Sequence, residues 1–411
     1  MQIPHIVIIG GGAGGLLLAT KLGRKQGKQN QAKITLIDSS GHHIWKPLLH
    51  KLVGGGLNQP ADKLDYRRHG NTNGYQFLHA SLDSINRQGK NLSYQIIDDD
   101  NKALERLNYD YLVIAIGSQA NDFGTPGAAE HCQFLDCTHQ AQQLRNSLQQ
   151  ALTDTTSADT LNVNIVGAGA TGVELAAELT KMGKQYSCQL SVNLLEASER
   201  ILPALSQDIA QLSTHSLTNI GVNVIVNTRV NAVQSNGLTT AEGQHYPATF
   251  NIWSAGIIAP KLLRTLDGLE TDNNNRLHVN SNLSTTLDRN VFAIGDCCAC
   301  LQTNGKTVPA RAQAARQMAD YLAITLFEIQ AGKTTKPFVF DDKGSIISIS
   351  RFNAFGILKK GPILRGRIAR YTYNALYRTH QKALFGLYST GLIILADWLR
   401  SRIKNSPTKL L

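Results

Sequence analysis

The chain has little of what secreted, membrane-spanning or nucleic-acid-binding proteins depend on. Only six of its 411 residues are cysteine: Cys132, Cys137, Cys188, Cys297, Cys298 and Cys300. In an intracellular chain of this size they read as reduced thiols, and no disulfide framework is implied. Apolar runs are short. Leu392–Ala396 is five residues long, where a bilayer needs about 20. The N-terminus, MQIPHIVIIGGG, has no basic flank, long apolar run or cleavage site, so no secretory signal is expected. Acidic residues all but vanish late in the chain: from Arg351 on there is one, Asp397, against 12 Lys or Arg, whereas the first 350 residues hold 29 of each sign. The net charge of +11 is therefore a property of the tail. With no base-reading motif beside it, nucleic acid is not the expected partner.

What is present is ample apolar material, 42% of residues, and 35 glycines. The length predicts two or three domains. Two segments share one pattern. HIVIIG, a glycine turn, a helical stretch and KITLID (Lys33–Asp38) make a β-α-β unit; VNIVG, GAGATG, a helix and QLSVNLLEA (Gln189–Ala197) make another. In each, a G-x-G-x-x-G turn follows a short, continuously apolar strand, as expected for a parallel strand covered on both faces. Gly10, Gly12 and Gly15, with Gly14 in the same turn, form the first, and Gly167, Gly169 and Gly172 the second. Such glycines permit the bend, the approach of a pyrophosphate and close helix packing, while the helix N-terminus offers N–H groups to phosphate. An acid stands at the end of each second strand, Asp38 at 23 residues after Gly15 and Glu196 at 24 after Gly172, the place of a ribose ligand. A carboxylate there accepts from a free 2′-hydroxyl and repels a 2′-phosphate, so NADH is favoured over NADPH; the alternative is an ordinary exposed strand-end acid. Two more strands, in YDYLVIAIGS and NVFAIGDCC, end at Gly117 and at Gly295–Asp296.

These features predict an α/β fold with two Rossmann-like dinucleotide-binding domains and a C-terminal helical extension. The expected division is 1–120 with 285–340, a connecting segment 121–160, a second nucleotide domain 161–284, and a C-terminal region 341–411.

Taken together, GHHIWKPLLHK (from Gly41), GATGVELAAEL (from Gly169), LLEASERILPALS (from Leu194), WSAGIIAP (from Trp253), FAIGDC (from Phe292), PRAQAARQMA (from Pro309), GSIISISRF (from Gly344) and GRIARYTYNALYRTHQKALFG (from Gly366) resemble the type II NADH:quinone oxidoreductases of respiratory membranes. These belong to the wider pyridine nucleotide-disulfide oxidoreductases, and the likeness spans nearly the whole chain. It implies FAD in the first cradle, contacted by Gly117, Gly295 and Asp296, and NADH in the second, beside Gly256. It further implies transfer of two electrons to a membrane quinone. Disulfide reductases of the superfamily carry a redox cysteine pair soon after the first β-α-β unit; no cysteine here precedes Cys132, so a thiol relay is not expected. Cys297, Cys298 and Cys300 look like a metal tract but lack four ligands at paired spacing, and no metal is expected.

Four residues are candidates for chemistry. Glu174 sits in the first turn of the second unit's helix, where a carboxylate is favoured by the dipole alone; the resemblance implies a place near the nicotinamide and flavin. Gln313 and Gln317 stand at i and i+4, hence on one helix face, and match the family's quinone-site motif. Lys46, followed by Pro47, matches a segment that passes the flavin ring, although a surface lysine is the alternative. Lys51 stands where an acid occurs in close relatives. In the tail, Leu384, Leu387, Tyr388, Gly391, Leu395, Trp398 and Leu399 recur at helical spacing, with Lys382, Arg400, Arg402 and Lys404 near the ends. Such helices can lie in a membrane interface or pack on the core. The expected protein is peripheral on the cytoplasmic face of the inner membrane, with a homodimer as a possible assembly. A soluble flavoprotein reductase of a protein acceptor and an FAD/NADH redox sensor are the alternatives.

Overall fold

The computed structural model describes residues 3–56, 63–99, 101, 103–155, 159–186, 188–349, 354–359 and 361–404. Arg351 and Phe352, and the side chains of Arg400, Arg402 and Lys404, lie outside the described residues.

Strand β1 (His5–Ile9) turns at Gly10 into helix α1 (Gly15–Leu22), and β2 (Lys33–Asp38) lies parallel to β1. Ile6, Val7 and Ile8 on the strand and Leu16, Leu17 and Leu18 on the helix expose no surface, which is why this unbroken apolar strand tolerates cover on both faces. Short helix α2 (Leu49–Val53), α3 (Tyr66–Asn73) and strands β3 (Gln76–Asn86), β4 (Asn91–Ile96), β5 (Leu104–Asn108) and β6 (Tyr111–Ile114) follow. Strand β3 changes partner along its length, parallel to β2 over Gln76–His79 and antiparallel to β4 over Ala80–Asn86. The parallel sheet thereby grows an antiparallel ribbon that the sequence pattern did not predict.

The next elements are β7 (Cys132–Phe134), α4 (Thr138–Asp154), β8 (Thr160–Val166), α5 (Ala170–Gln185), β9 (Gln189–Leu195), α6 (Gln207–Asn219), β10 (Val222–Ile225) and β11 (Phe250–Trp253). Their strands form a five-stranded parallel sheet in the order β7-β11-β8-β9-β10. The chain then returns: β12 (Val291–Ala293) pairs with β6, completing a seven-stranded sheet in the order β12-β6-β1-β2-β3-β4-β5. Helix α7 (Ala312–Gln330) leads to a small antiparallel sheet of β13 (Ser345–Ser348), β14 (Ala354–Ile357) and β15 (Ile363–Arg365). Helices α8 (Gly366–Phe385) and α9 (Leu387–Lys404) close the chain.

This topology sets up both cradles. In the first sheet β12, β6 and β1 are neighbours, so Gly295, Gly117 and Gly10 leave the sheet at one end, as a ligand crevice beyond parallel strands requires. In the second, β11, β8 and β9 bring Ser254–Gly256, Gly167 and Glu196 to a common end in the same way.

Four asparagines fix the register of the second sheet. Asn251, Asn164, Asn193 and Asn223 occupy one row across β11, β8, β9 and β10. Asn164 Nδ2 donates to Asn251 Oδ1 at 3.1 Å, Asn193 Nδ2 to Asn164 Oδ1 at 2.9 Å, and Asn223 Nδ2 to Asn193 Oδ1 at 3.0 Å. Asn164 also donates to the Tyr246 carbonyl, and Asn251 to those of Gln234 and Gly237, stapling a small antiparallel sheet onto the parallel one. Asn164→Leu keeps the volume but strips the donor from the buried Asn251 oxygen and the half-buried Tyr246 carbonyl and the acceptor from Asn193, so an unfolding free-energy loss on the order of 3 kcal/mol is expected. Asn223→Leu, at the exposed end of the row, is expected to cost under about 1 kcal/mol; equal losses in urea titrations of the two variants would contradict the ladder.

Candidate active site

The two cradles are built alike. Gly10 and Gly167 have φ of +99° and +96°, a left-handed region that favours glycine. A Cβ on Gly15 would stand 1.9 Å from the Gly10 carbonyl oxygen, and one on Gly172 would stand 2.0 Å from that of Gly167. Gly12 and Gly169 instead face open space, with nothing within 4 Å of a Cβ. The outer glycines are thus demanded by the backbone, while the middle one leaves room for a phosphate, which is what a bound dinucleotide pyrophosphate requires. The strand-end acids repeat the likeness. Asp38 accepts from the Gly11 and Ser40 N–H groups at 2.5 and 2.7 Å, and Glu196 from those of Ala168 and Ser198 at 2.8 and 2.9 Å. Burial raises the Asp38 carboxyl above its usual range, and the two N–H groups oppose that rise.

Around the first cradle the expected residues converge. Helix α7 begins against both Gly14 and Gly295: a Cβ on Gly14 would lie 3.1 Å from the Ala315 carbonyl oxygen, and one on Gly295 would lie 3.4 Å from the Ala315 Cβ. Asp296 accepts from the Ser118 hydroxyl at 2.9 Å, next to Gly117, whose φ is +71°. Lys46 is a half-exposed lysine that nevertheless has partners. Its Nζ donates to the Ser118 carbonyl at 2.7 Å and lies 3.4 Å from Asp136 Oδ1, tying the GHHIWKPLLHK segment to the crevice. Gly256 has φ +63° and packs against the Phe123 ring, where the chain crosses between the sheets.

Glu174 lies on α5 and is buried, yet three distant segments reach it. Its Oε1 accepts from the Ser348 N–H at 3.0 Å, its Oε2 lies 3.3 Å from His50 Nδ1, and the Tyr373 hydroxyl also bonds to it. Burial pushes its carboxyl up from 4.5 to about 7, although Ser348, Lys51, Tyr373 and Arg370 all favour the charged form. Burial together with Lys51 and Arg370 holds His50 down at about 3, so His50 is a neutral imidazole at neutral pH and its approach to Glu174 is not an ion pair. Lys51 lies over the Tyr373 ring at 4.9 Å. Lys51 therefore brings a cation to Glu174.

The two glutamines share one face of α7, and that face is engaged. Gln317 exchanges both amide bonds with the backbone of Asp341 at 2.8 and 3.0 Å. Gln313 donates to the Gly344 carbonyl and the Asp342 carboxylate and accepts from the Lys343 N–H, at 3.0 to 3.1 Å. An i to i+4 step on a helix rises about 6 Å and two residues of extended chain span about 6.6 Å, so the pair acts as a strand edge for residues 341–344. All six cysteines are free thiols, with Cys297, Cys298 and Cys300 buried.

Residues 4–319 match the family model of the pyridine nucleotide-disulphide oxidoreductases. The chain is 42% identical to a type II NADH:quinone oxidoreductase of Haemophilus influenzae, over 98% of its own length and 99% of that protein's. This chain belongs to the type II NADH:quinone oxidoreductases. A further member, from Mycobacterium tuberculosis, is 29% identical over 96% of this chain and 87% of its own. Among solved structures, that of NDH2 from Plasmodium falciparum in complex with NADH superimposes with a TM-score of 0.81 at 20% identity, covering 95% of this chain and 97% of that one, which shows a shared fold. Membership in the type II family agrees with the fold class expected from the two glycine turns. His50, Ser348, Arg370 and Tyr373, which surround Glu174, are partners that no local motif announces.

The raised Glu174 acid sets a pH dependence. Between pH 4.5 and 7 the folded protein keeps a proton that the unfolded chain releases, so this group makes stability fall as pH rises, by about 3 kcal/mol across the window. Glu174→Gln is expected to flatten that part of the profile in melting temperatures measured from pH 5 to 8; an unchanged slope would count against a protonated Glu174.

Proposed function

We infer that the protein oxidises NADH and reduces a quinone, as a non-proton-pumping NADH:quinone oxidoreductase. The observation that carries this reading is the duplication: two cradles of one geometry in a chain with no thiol pair before Cys132. Bound FAD supplies the two-electron carrier between nicotinamide and quinone. The first cradle, with Gly10, Gly12, Gly14, Gly15, Asp38, Gly117, Gly295 and Asp296, holds FAD, and Lys46 secures its rim. The second, with Gly167, Gly169, Gly172, Glu196 and Gly256, holds NADH, and the Glu196 carboxylate selects a free 2′-hydroxyl. Glu174 keeps or releases a proton near neutral pH at the junction of α5, α2 and the C-terminal region. Gln313 and Gln317 shape the quinone side by holding residues 341–344. Residues 1–120 and 285–340 form the FAD unit, 121–160 the connection, 161–284 the NADH unit and 341–411 the membrane-facing region.

No helix among the described residues is long and apolar enough to cross a membrane, and the surface of α8 and α9 supports peripheral attachment. Ile368, Tyr371, Leu376, Leu392, Leu395, Trp398 and Leu399 are exposed, and Leu387 and Tyr388 are 71% and 80% exposed. The tail's one acid is internally paired: Asp397 on α9 bonds Arg378 on α8 at 2.5 Å. Leu384 departs from the expected stripe, being buried in the first sheet's core. The excess of basic residues suits anionic lipid of the cytoplasmic leaflet. A homodimer is compatible with this attachment. A soluble reductase of an acidic protein acceptor would leave those apolar side chains without cover, and a redox sensor would turn over slowly.

Anaerobic stopped-flow tests the reaction: NADH is expected to bleach the flavin absorbance within a turnover and a short-chain quinone to restore it, whereas bleaching without recovery would remove quinone as the acceptor. Deleting the tail is not a clean test of attachment, because α8 contributes Tyr373 and Arg370 around Glu174. Leu387→Asp with Tyr388→Asp is the better variant. It is expected to lower partitioning onto anionic vesicles at least about 10-fold while leaving oxidation of NADH by a water-soluble quinone near wild type; undiminished sedimentation with vesicles would contradict the assignment.

A further inference from the structure

Two buried histidines join the last-but-one helix to the first cradle. His43 lies in the segment GHHIW, its Nδ1 3.0 Å from the Gly11 carbonyl oxygen and its Nε2 3.1 Å from Nε2 of His380 on α8. The His380 ring packs on Trp45, with centroids 3.9 Å apart. The Tyr66 hydroxyl donates to the same Gly11 carbonyl at 2.7 Å. His43 is 6% and His380 3% exposed.

The distances fix the tautomers. A carbonyl oxygen only accepts, so His43 Nδ1 must carry hydrogen, and a neutral ring then has a bare Nε2. The nitrogen 3.1 Å away must donate, so His380 carries its hydrogen on Nε2. Both rings are neutral: burial holds His43 at about 4 and His380 at about 2, and His69 on α3 and Arg316 on α7 oppose a further positive charge. Without a donor at His380, the opposite tautomer of His43 would become available, and it turns a lone pair toward the Gly11 oxygen.

Gly11 lies between the glycine that makes the bend and the one that faces open space. Its N–H is committed to Asp38. Its carbonyl shares a planar trans peptide with the Gly12 N–H, which therefore points the opposite way. Pinning the Gly11 oxygen with two donors aims the Gly12 N–H at the place where a pyrophosphate approaches.

We propose that His380 is a positioning residue for the cofactor: as an N–H donor it holds His43 in the tautomer that orients the Gly11–Gly12 peptide, which makes helix α8 part of the FAD site. The proposal rests on the assignment of FAD to the first cradle.

The test uses full-length protein, with FAD affinity measured by flavin fluorescence on reconstitution and NAD+ affinity for the second cradle as the control of folding. His380→Phe preserves the ring packing on Trp45 and removes the donor; FAD is expected to bind about 10-fold more weakly, with NAD+ binding unchanged. His380→Gln returns an N–H near the Nε2 position and is expected to recover most of that loss. Wild-type FAD affinity in His380→Phe, or equal weakening in both variants, would overturn the role of His380. Should the variants not fold, nitrogen-15 NMR of histidine-labelled wild-type holoenzyme decides: His43 protonated on Nδ1 and His380 on Nε2 support the relay, and the reverse tautomer at either ring refutes it. A wild-type protein that neither purifies with flavin nor takes it up would instead sink the FAD assignment itself.

Discussion

No side chain fits between Gly15 and the carbonyl of Gly10, or between Gly172 and that of Gly167, where a Cβ would overlap oxygen by more than an ångström. This contact lets a helix start directly above the strand that precedes it, with its unpaired N–H groups facing the sheet's crevice. Everything functional is placed relative to it. The strand-end acids fold back onto the second residue of each turn, and the neighbouring strand ends bring Gly117, Gly295 and Asp296 to one cradle and Gly256 toward the other. Because the constraint is purely one of volume, it appears twice with nearly the same angles in two units that share little else in sequence.

Between the cradles the protein tolerates a costly arrangement, a carboxyl group with almost no solvent. Glu174 is held by groups from α2, β13 and α8, and the balance of burial against two cations leaves its proton loosely held near neutrality. An isolated buried carboxylate would cost several kcal/mol, and a fully neutral acid could not respond to pH. A group poised between those limits, at the junction of three chain segments, exchanges its proton near neutral pH.

The parts visible in the sequence are the local ones. Each cradle lies within about 40 contiguous residues, and its strand, glycines, helix and acid have fixed spacing, so reading it needs no knowledge of tertiary contacts. The surroundings of Glu174 were illegible because His50, Ser348, Arg370 and Tyr373 come together only through the C-terminal region, whose strands are three or four residues long and carry no periodicity to detect. Gln313 and Gln317 show the intermediate case. Their spacing identified a shared helix face, but only the fold discloses that the partner of that face is the backbone of residues 341–344. Leu384 fitted the apolar stripe by period and turns inward, since α8 is covered by the core on that side.

The asparagine row of the second sheet has a consequence for how the chain can vary over evolutionary time. Asn164 and Asn193 each donate to one neighbour and accept from the other, so replacing either orphans groups on adjacent strands that were themselves unaltered. Asn193 can therefore change only together with its partners, while Asn164 and Asn251 are held further by the backbone carbonyls of the small sheet, which an apolar replacement would leave without donors. Drift at the exposed end, Asn223, should be free by comparison. The row also distinguishes the paired register from its slips by two residues, which keep the same side chains facing inward and which hydrophobic patterning alone cannot tell apart.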